Sequence, residues 1–150
     1  MAAGPILAFL EGEGTDARGR TVFEVLAMND VALEHTHDFI QWLFPLPEPS
    51  AAVPDAPVLT PDDIRAVRES ELAPIALAAA TDRMANFYRL THEWLMPNDH
   101  NHRRITRIIR SLRLLVGDAE ADAFRDAILE RVEATRAPVS VRSRGYWATA

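Results

Sequence analysis

The stretch from His100 to Asp118, HNHRRITRIIRSLRLLVGD, decides the fold class. Ile105, Ile108, Ile109, Leu112, Leu115 and Val116 recur at intervals of three and four, which places them on one face of a helix. Gly117 suits the position just past a helix end, and Asp118 suits the cap of the next. The spacing predicts a helix over 101–116 and a tight helical hairpin after it. Ala123, Phe124, Ala127 and Ile128 are the expected inner face of the second helix, which also carries Asp118, Glu120, Asp122, Asp126, Glu130 and Glu133.

Working upstream, Leu77, Ala80, Met84 and Phe87 form another helical stripe. Thr60-Pro61-Asp62-Asp63 is a helix start: a hydroxyl cap, proline at the first position and acids in the first turn. That helix is expected to end near Glu69, with Ser70 capping the next. Leu33, His37, Ile40 and Phe44 predict one further helix from residue 30 to Phe44, stopped by Pro45. Thr21 and Glu24 make a capping box for a short helix, and Pro5 opens another.

Residues 45–61 hold six of the ten prolines, so an extended, polyproline-like segment is expected. The 44 residues before it are too few for a comfortable core of their own, which favours a strap on one body over a linker between two. Tyr146 and Trp147 are expected to dock back on the body. Nothing reads as a strand. The expectation is an all-α, single domain of six or seven helices crossed by a proline-rich strap.

The chain has 150 residues, no cysteine and a formal net charge of −6. Disulfides and thiolate catalysis are excluded, and a general nucleic-acid binder is disfavoured, because phosphate affinity comes largely from excess cations. All sixteen basic residues are arginine and alanine occurs 24 times, a pattern that GC-rich bacterial codons produce. No apolar run is long enough to span a bilayer, and the acidic turn after MAAGPILAFL does not read as a secretory signal. A cytoplasmic location is expected.

For chemistry, the sequence lacks a nucleophile elbow, a P-loop and a dinucleotide fingerprint, so no catalytic residues and no cofactor are expected. His35/His37 and His100/His102 sit two apart, which on a helix points them away from each other. His92-Glu93 starts like a zinc-protease motif, but Met96 stands where the second histidine belongs. A metal site would have to assemble from His37, Asp38, His92, Asp99 or His100 in the fold, and none is expected. Arg103, Arg104, Arg107, Arg110 and Arg113 read either as a phosphate, nucleic-acid or acidic-peptide surface or as a solvated face paired with the next helix. Trp42 reads either as an aromatic anchor for a peptide, with Gln41 bonding its backbone, or as packing beneath the strap.

The run Leu33, Glu34, His37, Asp38, Phe39, Ile40, Gln41, Trp42, Leu43, Phe44, Pro45 resembles the signature of the opioid growth factor receptor conserved domain. The resemblance continues through Leu59-Thr60, through Met84, Phe87 and Tyr88, and through HNHRRITRIIRSL (100–112), and covers residues 5–147. It implies a receptor of non-heptahelical type without catalytic residues; animal members bind an enkephalin-type pentapeptide and are found at the nuclear envelope and in the nucleus. For this chain the expectation is a non-catalytic module for a peptide or protein segment of another kind. The ligand is expected near Gln41, Trp42, Trp94, His37, His100 and Asn101, with the five arginines as the alternative, anion-binding surface.

Overall fold

The computed structural model describes residues 4–150. Among the described residues there are nine α-helices and no strand: α1 (Pro5–Leu10), α2 (Val22–Leu26), α3 (Asp30–His35), α4 (Ile40–Leu43), α5 (Pro61–Glu69), α6 (Ala73–Leu90), α7 (His100–Leu115), α8 (Asp118–Thr135) and α9 (Val141–Thr149). The all-α class is as expected. Nine helices stand where six or seven were expected, because the segment from 30 to 44 divides in two and the tail forms α9. The chain folds as two compact units, one up to Ala80 and one from Thr81, with α6 running through the division.

In the first unit α1 packs on α4 and α5. Phe9 meets Trp42 with ring centroids 5.5 Å apart. Gly12 closes α1 at φ +82, a conformation that a side chain resists. Thr21 caps α2 and Asn29 caps α3. Thr60 caps α5 in a reciprocal box with Asp63. Ser70 accepts from the Ala73 amide at 3.0 Å and donates to Glu11 Oε2 at 2.7 Å.

The expected continuous helix over 30–44 does not form. Thr36 is extended (φ −101, ψ 122), and the chain re-enters helix only at Ile40. The proline-rich segment is a strap within the first unit. The Leu59 amide donates to the Leu46 carbonyl at 2.9 Å, and both leucines are buried. Between those anchors it turns, with the Val53 amide on Ser50 Oγ at 3.2 Å and the Ala56 amide on the Val53 carbonyl at 3.0 Å.

In the second unit α7 and α8 form the expected hairpin and α9 lies against both. Ile105, Ile108, Ile109, Leu112 and Leu115 are all buried, whereas Val116, after the helix end, is 40% exposed. The inner face of α8 is Ala121, Phe124, Ile128 and Val132. Ala123 and Ala127 are exposed, contrary to expectation: a face at spacings of three, four and four is enough to cover the hairpin. Trp147 is fully buried, whereas Tyr146, one position round the helix, points outward.

Candidate functional site

The site in the first unit starts from a short polar loop. The Asp16 side chain is fully buried and accepts from the amides of Arg18 (2.9 Å) and Arg20 (3.0 Å) and from Arg20 Nε (2.7 Å). Aspartate favours such local bonds to its own backbone. The loop therefore projects two arginines from one fixed turn.

Both arginines reach Asp38. Arg20 Nη2 donates to Oδ1 at 2.9 Å and Arg18 Nε to Oδ2 at 2.8 Å. Burial pushes the Asp38 carboxyl up, but the hydrogen bonds from Arg20 and Arg18 outweigh it and leave its pKa lowered. Burial likewise works against charge on Arg20, and the bonds to Asp38 and Asp16 reverse it, so its pKa is raised. This ion pair occupies the break between α3 and α4. Asp38 points to a loop some twenty residues upstream, and α4 starts after it. Gln41 Nε2 donates to the His37 carbonyl across the same break at 3.2 Å.

Beside this pair lies a cleft of about 540 Å³. Arg18, Arg20 and Asp38 form one wall, with His35 and His37 next to them. Trp42 and the strap residues Ala52 to Asp55 line it as well, with Ala17 and Thr36. The cleft combines an indole, aliphatic strap atoms, guanidinium donors and carboxylate acceptors.

Among the residues expected to bind ligand, Trp42 and His37 line this cleft, and Gln41 is buried beside Trp42 with Oε1 meeting no donor among the described residues. In the second unit, Trp94 and Asn101 are fully buried. Trp94 Nε1 donates to the Tyr88 carbonyl at 3.1 Å, and Asn101 Oδ1 accepts from the Tyr88 hydroxyl at 3.1 Å. Both are internal ties of that unit. His100 is exposed, next to Asp99, the α7 cap.

The five arginines of α7 do not make one open face. Arg103 is exposed, Arg104 is buried at 6% with Nη1 toward Asn101 Oδ1, and Arg107 and Arg110 are half-buried. Arg113 donates to Asp118 (2.8 Å), Asp122 (2.9 Å) and the Ala150 carbonyl (3.0 Å). Hydrogen bonds to Asp118 and Asp122 raise its pKa. Sequence reasoning missed Asp16, Arg18 and Arg20 as site residues. Their signal was a switch from acidic Glu11, Glu13 and Asp16 to basic Arg18 and Arg20 within a glycine-punctuated loop.

An all-helical domain carrying the run from His37 to Pro45 and the α7 arginines defines a recognisable class. The sequence pattern of the opioid growth factor receptor (OGFr) conserved region matches residues 20–129, and the chain belongs to that family. It is similar to the opioid growth factor receptor of Mus musculus, 34% identical over 98 residues covering 53% of this chain and 15% of that protein. It is also similar to the opioid growth factor receptor of Rattus norvegicus, 34% identical over 98 residues and 17% of that protein. The chain thus spans less than a fifth of the length of these relatives. No solved structure matches it with significance. No helix among the described residues is long and apolar enough to cross a membrane.

Proposed function

We propose that this protein is a non-catalytic binding module for a peptide or protein segment, and that the cleft beside Trp42 is its binding site. The observation that carries the reading is the pairing of the Trp42 indole with the Arg18–Asp38–Arg20 cluster in one cleft. A peptide presents apolar side chains and a backbone with both donors and acceptors. The cleft meets each of these, and ligand clefts commonly combine an apolar lining with a few fixed polar groups. The cluster is also held in place before any ligand arrives, which lowers the ordering cost of binding. The relatives are named as receptors for an opioid growth factor; for this chain the ligand is a peptide of another sequence, met in the cytoplasm.

The test is an array of short peptides with free ends, probed with the full chain and with Arg18→Ala. Arg18 is 73% exposed, so its loss leaves the fold intact. The expected result is a reproducible peptide set that quenches or shifts Trp42 emission and binds the variant about tenfold less tightly. No peptide whose binding depends on Arg18, or peptide binding without any effect on Trp42, would overturn the reading.

A further inference from the structure

We propose that a second cleft, between the last turns of α6 and α8, is a binding site for an amphiphilic monocarboxylate of the medium-chain fatty-acid class. The cleft lies wholly in the second unit and has a volume of about 350 Å³, within the range of small-molecule sites. Its floor is Tyr88, Phe124 and Ile128, each no more than 3% exposed, so the base is closely packed. The Tyr88 hydroxyl is committed to Asn101, which leaves the ring as the apolar part that faces the cleft. Ala85 and Ala127 line it as well, and their small side chains keep open the space a longer one would fill.

The rim is cationic. Arg89 and Arg131 stand there against one carboxylate, Glu130. Arg131 is fixed: Nε lies 3.4 Å from the Tyr88 carbonyl and Nη2 donates to the Thr91 carbonyl at 3.3 Å, an arrangement that satisfies the end of α6. Nη2 also lies 3.1 Å from His92 Nδ1. Arg89, exposed at the rim, donates through Nη2 to Asn86 Oδ1 at 3.2 Å. Two guanidiniums and one carboxylate leave a single positive charge to balance, which suits a monoanion. Guanidinium is the group that grips carboxylate best. An apolar floor beneath such a rim asks for an aliphatic tail of about eight to ten carbons behind that head.

Sodium octanoate, 1-octanol and octylammonium share a tail and differ in head, so they isolate the charge. Each is titrated into the full chain while the methyl resonances of Ala85 and Ala127 are followed. Octanoate is expected to shift both methyls and to bind about tenfold more tightly than octanol, with octylammonium the weakest. Arg89→Gln should reduce the octanoate advantage to about threefold. Ala127→Trp, at an exposed helix position, should fill the cleft and abolish the octanoate-induced shift at Ala85. Octanol binding as well as octanoate, unmoved Ala85 and Ala127 methyls, or unchanged octanoate binding in Ala127→Trp would each sink the proposal.

Discussion

His102 Nε2 lies 2.8 Å from the carbonyl oxygen of Trp94. A carbonyl only accepts, so Nε2 donates to it, and Nδ1 pairs with the Ser143 hydroxyl at 2.8 Å. The His102 carbonyl in turn accepts from Trp147 Nε1 at 3.1 Å. One residue thereby fastens the loop after α6, α7 and α9 to each other, with almost no solvent to substitute for its bonds. His102→Ala is expected to destabilise the protein by about 2–4 kcal/mol in urea unfolding, since it leaves buried polar partners and a cavity. A loss under about 0.5 kcal/mol would show that the network is dispensable.

The lowered pKa of Asp38 carries a prediction for acid stability. A carboxyl with a depressed folded-state pKa stabilises the fold above its unfolded value, and that contribution is lost as pH falls through the folded value. Asp38→Asn should therefore be less stable than the wild type near neutrality, with the gap closing as the pH falls below the ordinary carboxylate range. Urea midpoints measured across the acid range check this. Arg20→Ala should cost more than Arg18→Ala, because the Arg20 side chain is 19% exposed and bonded to two carboxylates, whereas Arg18 is 73% exposed.

Two glycines should respond in opposite directions. Gly12 sits at φ +82, and a Cβ there would lie 2.7 Å from the Phe23 ring, so Gly12→Ala is expected to cost about 1–3 kcal/mol. Gly145 lies within α9 with open space around its Cβ direction, and Gly145→Ala should stabilise by about 0.5–1 kcal/mol. Thermal melts of the two variants should move to either side of the wild type.

The three tryptophans are 8%, 0% and 0% exposed at 42, 94 and 147. Native emission should be blue-shifted and nearly resistant to iodide, and the residual quenching should vanish in Trp42→Phe. Quenching that persists undiminished in that variant would place a different indole at the surface.

Features set by near neighbours were legible in the sequence. The isoleucine period of α7, the Gly117 stop and the Thr60 cap with Pro61 behind it each depend on residues within a turn or two, and each appears where expected, whereas Asp118 is the first residue of α8 and Gly117, not Asp118, holds the cap position. The break at residues 36–39 was not legible. Leu33, His37, Ile40 and Phe44 satisfy helical spacing, and the pull of Arg18 and Arg20 on Asp38, which accompanies the interruption, comes from far along the chain. The same distance hid the polar half of the cleft beside Trp42. In α9 the face that matters rests on Ser143 and Trp147, too little apolar content to announce a helix without its tertiary partners.

The strap begins and ends on a single backbone bond between two buried leucines, and most residues between them stand in solvent. Lengthening such a loop is inexpensive: each doubling costs only about 0.6 kcal/mol of closure entropy. Mutation can therefore rewrite the border at 52–55 while the Leu46–Leu59 clasp keeps the helices undisturbed. A lineage could acquire new preferences by editing this one hem, leaving its inherited framework intact.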